Sequence, residues 1–564
     1  MTLPSSPFRH LSLPAYAEQT FWRLFNETRY RTTKIDYVQF VLPSSMAMFP
    51  EPRGWIRQRI LGETPLSIYE FDQALQQIAL DPRPKGIILY LQGVSMSSAM
   101  IQAIRSSLAQ FKKSGKTVIC YAKSYDLKTY HLASIADKRF LQPGGTVWTL
   151  GLYSQQLFLK DSLEAIGIEV DSVAISPYKG AADPLTRTEP SPEGEAQTNW
   201  LLDSLYETII MEIAEGCEIS TDDVREMIDN APYTDQIALE KGYVHALVNE
   251  EDFAKELEAE YIVLWEQAKN SIHMSPPSKQ RKSIAILPVS GMIVDGNSRK
   301  PPVDLPVPFV GGERMGDRTV VQQVRNLMKD DSVAAVILYV DSGGGSATAS
   351  EAMAAALQQL ATDRPLIVVM GGVAASGGYY IATPAHWIIC QPTTITGSIG
   401  VINAKIINRE LQRKLKTHPA EFMRGANANY LSSGTKMTDQ QREQMRASIV
   451  SIYEQFIRHV AKSRDMTTEA VNEIGGGRVW TGQQALENGL CDQLGGLPEA
   501  IAKAQELACL PEDTPVKIMH GSGKPLPAQL AESSNPAAIL QEFYAIQREL
   551  LNGQPLYLLP TQFE

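Results

Sequence analysis

An α/β fold with largely parallel sheets, built twice along one chain, is what the sequence predicts, and three observations carry it. Apolar runs of β type alternate with helical stretches: "GIILYL" and "TVICYA" flank "SSAMIQAIRSSLAQFKKSG", and "AAVILYV" and "LIVVM" flank "TASEAMAAALQQLATD". Strand–helix–strand alternation of this kind implies crossovers between parallel strands. The pattern also recurs. "GIILYLQ" (Gly86 to Gln92) matches "AVILYVD" (Ala335 to Asp341), and "YHLASIADKRFLQP" matches "YYIATPAHWIICQP". Leu89 pairs with Leu338 and Pro143 with Pro392 at one constant offset, so no gap intervenes. Finally, "KNSIHMSPPSKQRKS" between the copies is polar and rich in Pro and Ser, the composition of a linker.

The elements follow in order. Residues 1–36 form an amphipathic segment, "AEQTFWRLFNETRY", expected to pack on the protein's own body, with peripheral membrane association as the alternative. Residues 37–265 make the N-terminal half, 266–283 the linker, 284–508 the C-terminal half and 509–564 a helical tail ("NPAAILQEFYAIQRELLNG"). Late in each half a long helix is announced by its cap, Ser191 with Pro192 in one and the capping box from Thr438 in the other. Residues 365–390 lack Asp, Glu, Lys and Arg, but their glycines and Pro384 favour a buried strand–turn–helix–strand over a membrane span.

Composition narrows the function classes. In 564 residues, 44% hydrophobic and 20% charged, the formal net charge is −11, which argues against a general nucleic-acid binder. Five cysteines (Cys120, Cys217, Cys390, Cys491, Cys509) have no metal-type spacing and read as core residues of a reduced compartment. No signal peptide or transmembrane anchor is visible, so a cytoplasmic or membrane-peripheral location is expected.

Two glycine-rich turns carry the candidate chemistry. In "LYVDSGGGSATASE" a strand ends at Asp341 and Gly343 to Gly345 precede a helix; such a turn exposes backbone N–H groups that can hold an oxyanion. "GGVAASGGYY" repeats the design with Ser376 at a strand–helix turn. Together they would supply a nucleophile, Ser376, and donors from Gly345, with Gly344 as its neighbour, and Gly377. Serine needs a base. His386 lies near in sequence, but inside "AHWIIC" it reads better as structural. A buried, neutral lysine is the other standard solution. In the first half Leu127 stands where the second has Ser376, yet that half carries Lys179 in "SPYKGAADPLTRTEPSPE", where the second has Arg424, which cannot act as a base. Each half lacks what the other supplies.

These segments resemble the signal peptide peptidase A (protease IV) family in its long, duplicated form, through "DSGGGSATASE", "AASGGYYIA", "TGSIGV" and "SPYKGAADP". The resemblance covers most of the chain. It implies a crotonase-like fold shared with Clp protease and a serine peptidase with a Ser/Lys dyad: Ser376 as nucleophile, Lys179 as general base and proton donor, Ser398 in "TGSIG" orienting the lysine. It further implies peptide substrates (cleaved signal peptides and other unfolded hydrophobic peptides), a homotetramer, and no ATP, metal or other cofactor. Two departures stand out: Gly343 replaces the family's proline in the turn, and an N-terminal anchor like that of the bacterial long form is expected to be absent, since none is visible in this sequence. An acyl-CoA hydratase or isomerase of the crotonase type, and an inactive scaffold of the same fold, are the rival readings.

Overall fold

A computed structural model describes residues 13–50, 65–299, 313–519 and 556–558. They fall into two compact units, residues 1–151 with 209–279, and residues 152–208 with 280–564. The cut does not follow the repeat: the segment Leu152–Thr208, which sequence assigns to the N-terminal half, belongs to the second unit.

In the first unit a mainly parallel sheet runs in the order Tyr233–Thr234, Lys138–Trp148, Thr117–Asp126, Gly86–Leu91, Tyr37–Leu42, Ile262–Leu264. Every residue of Gly86–Leu91 is buried, as a central strand covered on both faces requires. The helix Ile68–Leu80 starts at a capping box between Ser67 and Glu70 and buries Ile68, Phe71, Leu75 and Ile78, one face at helical spacing. The helix Leu13–Thr32 packs on the same unit: Asn26 exchanges hydrogen bonds with the backbone of Met274 at 3.0 and 2.9 Å. The expected linker begins as part of this unit, since Ile272 is fully buried and Arg83 donates to the Ser271 carbonyl.

The second unit holds two sheets. The larger runs Val479–Thr481, Ile395–Gly397, Leu366–Ala375, Val333–Ser342, Ser283–Ser290, Val516–Ile518, with Trp387–Cys390 also beside Leu366–Ala375. Its three central strands are parallel. The smaller runs Arg314–Gly316, Met292–Val294, Gly344–Ser346, Leu556–Leu558, Ile402–Ile407, Glu169–Ala174. Residues 365–390 form the expected strand, helix Gly377–Ala382 and strand. Both long capped helices are present, Pro192–Cys217 and Asp439–Arg464. From 509 on, the described residues hold strands, Val516–Ile518 and Leu556–Leu558; the expected tail helix at 535–553 lies outside the described residues, as do residues 1–12 of the N-terminal segment. Among the described residues no helix is long and apolar enough to cross a membrane.

One irregularity positions the site. Val340 pairs with Met370 but Ser342 with Ala374, so the strand approaching Ser376 carries a bulge across Gly371–Val373. The Asp341 carboxylate repairs the interrupted ladder by accepting the Val373 N–H at 3.0 Å. Burial pushes that carboxyl's pKa up, and the backbone donors Val373 and Gly372 oppose the shift. A bulge re-aims the strand that follows it, and here the strand ends at Ala375 with Ser376 immediately beyond.

Candidate active site

Ser376 sits between the strand Leu366–Ala375 and the helix Gly377–Ala382, fully buried, at φ 57° and ψ −114°. A serine in this region carries strain of order 1–3 kcal/mol. The surroundings hold it there: its N–H donates to Gly397 O at 2.8 Å, and its carbonyl accepts Tyr380 N–H at 2.8 Å. Glycine is required at the two positions that follow it, for lack of space. A Cβ on Gly377 would lie 2.7 Å from Ser350 Oγ and 3.1 Å from Gly344 Cα, and one on Gly378 2.4 Å from Ser342 O.

Lys179 reaches this serine from the loop after Glu169–Ala174. Its Nζ lies 2.8 Å from Ser376 Oγ, 2.8 Å from Ser398 Oγ, and donates to Ser398 O at 2.8 Å. Lys179 is 1% exposed, and both serines are fully buried. Burial drives the lysine well below its ordinary pKa, and no charged neighbour offsets it. A neutral amine has two N–H bonds and one lone pair; donation to the two Ser398 oxygens leaves the lone pair facing the Ser376 hydroxyl.

Ser398 is itself held at φ 51°, with its N–H donating to Arg478 O at 2.6 Å. The lysine loop is clasped by the "GGG" run at 475–477. Ser176 Oγ donates to Gly476 O, and a Cβ on Gly477 would lie 2.7 Å from the N, Cα and Cβ of Lys179. Gly400 also passes the lysine stem, its Cβ position 3.2 Å from Lys179 Cδ.

The glycine turn beside Ser376 is the strand Gly344–Ser346. The Cβ position of Gly377 lies 3.3 Å from Gly345 N, so the two glycines adjoin. Gly377 opens its helix, and its N–H has no intrahelical acceptor. Gly344 is different: its N–H donates to Ser342 Oγ at 3.1 Å, so this neighbour of Gly345 braces the turn rather than offering a second free donor.

Comparison with known sequences gives the family. The pattern of peptidase family S49 matches twice, at residues 110–263 and 358–510, more than half the chain, and that of Clp protease at 313–388. The chain belongs to peptidase family S49. Relatives include Protease 4 of Haemophilus influenzae, 30% identical over 481 residues (80% of this chain, 75% of the relative). The chloroplastic serine protease SPPA of Arabidopsis thaliana is 29% identical over 466 residues (81% and 68%). Protease 4 of Salmonella typhi is 29% identical over 463 residues (79% and 72%). The S49 chain is thus a serine peptidase with a duplicated Clp-protease-like α/β fold, which sets the acyl-CoA reading aside.

In this S49 chain the other sequence candidates stand apart from the serine. His386 accepts the Leu366 N–H at 3.1 Å, at the start of the ten-residue strand whose far end precedes Ser376; at ~3.3 Å per residue that is roughly 30 Å away. Its structural reading holds. Arg424 is exposed and donates to the neighbouring Met423 carbonyl. What sequence reading missed is the clasp of Ser176, Gly400, Gly476 and Gly477 around the lysine, and the Asp341 carboxylate under the bulge. The "GGG" run was a visible signal, but nothing in one sequence says which loop it receives.

Proposed function

We propose that this chain is an ATP-independent Ser/Lys endopeptidase acting on unfolded, apolar peptides, cleaved signal peptides among them. The observation that carries the reading is the 2.8 Å approach of Lys179 Nζ to Ser376 Oγ with both groups buried. The lone pair of neutral Lys179 takes the Ser376 proton as Oγ bonds to the peptide carbonyl carbon. The carbonyl π pair moves onto oxygen, and the N–H groups of Gly345 and Gly377 hold that charge. Collapse expels the amine, which takes the proton back from Lys179. Water then adds to the ester while Lys179 accepts its proton, and Ser376 leaves and is reprotonated. Ser398 acts as a positioning residue that aims the lysine lone pair. Every proton is handled by groups of this chain and ester hydrolysis runs downhill, so bond cleavage needs no nucleotide.

Apolar substrates suit a site flanked by Ile293, Ile399, Val401 and Ile402, all buried, with no charge acting on the lysine. Two further parts of the reading rest on surface residues. Tyr153, Leu157 and Phe422 are 83%, 70% and 91% exposed, which favours assembly into the tetramer implied by resemblance. Phe21 and Leu24 are exposed on the helix Leu13–Thr32, which favours peripheral membrane contact.

The test is cleavage of an unfolded apolar peptide without ATP, followed by mass spectrometry. Ser376→Ala should lower the rate at least about a thousandfold, and Lys179→Ala or Lys179→Arg by about 10²–10⁴, with folding checked for each. Normal cleavage by Lys179→Arg would place the base elsewhere, because arginine stays protonated.

A further inference from the structure

The two repeats differ in chemistry at two buried positions. Where the first carries Leu141 and Val244, the second carries Cys390 and Cys491, as the matches of "RFLQP" with "IICQP" and "YTDQIALEKGYV" with "WTGQQALENGLC" show. Leucine and valine can only pack. The two cysteines are free thiols, and Cys390 Sγ donates to Cys491 Sγ at 3.1 Å.

The backbone holds this pair in place. Cys390 ends the strand Trp387–Cys390 and pairs with Leu494, and its carbonyl accepts the Gly495 N–H at 2.9 Å. Asp492, next to Cys491, donates its N–H to Ile388 O at 2.8 Å and accepts the Ile388 N–H on its carboxylate at 2.7 Å. The sulfurs of a disulfide stand ~2.05 Å apart, so about 1 Å of further approach would join these two. The same segment touches the helix that follows Ser376. Leu490 O accepts the Tyr379 O–H at 2.8 Å, and Tyr379 lies on the helix Gly377–Ala382. The first unit has the equivalent brace, Tyr130 O–H to Tyr243 O at 2.9 Å, without the thiols.

We propose that Cys390 and Cys491 are a site of oxidative modification, a dithiol that hydrogen peroxide converts to a disulfide, displacing the helix behind Ser376. Cys491 is the sulfur that attacks, because Cys390 donates its S–H to it and keeps its own proton: that hydrogen bond and burial hold the Cys390 pKa well up. The Cys491 thiolate displaces hydroxide from one peroxide oxygen and becomes a sulfenic acid. Cys390 Sγ then bonds to Cys491 Sγ, and the sulfenic oxygen leaves as water with the Cys390 proton. In sum, two thiols give two electrons and two protons to one peroxide, which becomes two waters. Burial slows the first step, while the short separation speeds the second, so the disulfide forms ahead of over-oxidation. Closing the gap draws Leu490 O away from Tyr379 and shifts the helix whose first N–H, on Gly377, is proposed to hold the oxyanion. Disulfide formation is independent of the peptidase reading; its effect on turnover rests on that reading.

Mass spectrometry of the full Ser376→Ala chain tests the modification without catalysis. After overnight hydrogen peroxide, digestion without reductant should yield one cross-linked pair of peptides carrying Cys390 and Cys491. The pair should be lighter by two hydrogens and should separate on treatment with dithiothreitol. Cys491→Val, which installs the residue of the first repeat, should abolish the cross-link in a folded chain, and Cys390→Ala should do the same. Exposed Cys509 reports that the oxidant has acted. If Cys509 is fully oxidised while Cys390 and Cys491 stay free, or become separate sulfinic acids, the inference is overturned. In a chain with Ser376 that cuts, oxidation should lower kcat about tenfold, reversibly with dithiothreitol, and should leave the rate of Cys491→Val unchanged. A cross-linked chain with unaltered kcat would overturn the coupling to the helix and leave the peptidase reading intact.

Discussion

The same turn occurs twice in this chain, and the two copies differ in more than one side chain. Around Leu127 the strand Thr117–Asp126 runs into the helix Leu127–Ala133 through an ordinary N-cap: Asp126, at φ −80°, accepts the Thr129 N–H at 2.7 Å. Around Ser376 the cap residue is the serine itself, at positive φ, and its side chain caps nothing. The first turn is relaxed and its Leu127 buried; the second stores strain and leaves its hydroxyl beside an amine. One turn design, duplicated, serves packing in one unit and, in the other, holds the serine proposed as nucleophile against a buried amine. The difference lies in backbone conformation and in the lysine loop brought to Ser376 within the second unit, as much as in Ser for Leu.

If that is right, damage to the backbone of the second turn should cost nearly as much as loss of its side chains. Gly345 has a carbonyl, Ile293 O, 2.0 Å from where its Cβ would stand. Gly345→Ala must therefore shift the strand, and with it the N–H proposed to hold the oxyanion. The expected loss is about 10²–10³ in kcat, read by steady-state cleavage. Gly344→Ala tests the assignment of donors: its N–H is spent on Ser342 Oγ, so its loss should be the smaller of the two.

The lysine sharpens the comparison through pH. Its folded pKa lies well below the ordinary value because it is buried, whereas the unfolded chain titrates it near ~10.4. Between those two values the unfolded state binds more protons, so this group's contribution makes the fold more stable as pH rises through that window. At lower pH the full penalty of burying it applies. Lys179→Met should therefore raise Tm at neutral pH, by about 2–4 °C per kcal/mol relieved, and the gain should shrink as pH approaches 10. Activity should climb with pH as the amine loses its proton in the folded protein. A rate flat from pH 5 upward would argue against a lysine base.

The duplication, the strand–helix alternation and the turn with Ser376 were legible because they are local patterns with fixed spacing. So was the complementary loss of Ser at 127 and Lys at 424. The unit boundary was not: Leu152–Thr208 lies within the first repeat in sequence, but its strand Glu169–Ala174 pairs with Ile402–Ile407 of the second unit. Long-range pairing of that kind leaves no periodicity to read. The clasp of Gly476 and Gly477 on the lysine loop and the strand at Leu556–Leu558 were hidden for the same reason. The role given to Gly344 missed because a glycine N–H looks free in sequence until a neighbouring hydroxyl, here Ser342, is seen to claim it.

The smallest expected effect on activity is the most direct probe of the comparison. Leu127→Ser puts a hydroxyl at the position equivalent to Ser376, in a turn whose Asp126 cap keeps φ negative. If a serine at a strand–helix turn were enough, this variant would restore cleavage to a Ser376→Ala chain. It should restore none, because the first turn lacks both the strained backbone and the amine. Its cost should appear in stability instead, since Leu127 is only 6% exposed and losing such a buried side chain typically costs about 2–5 kcal/mol. Cleavage by the double variant at even a percent of the wild-type rate would mean that the hydroxyl's position, and not its backbone and lysine, makes the site.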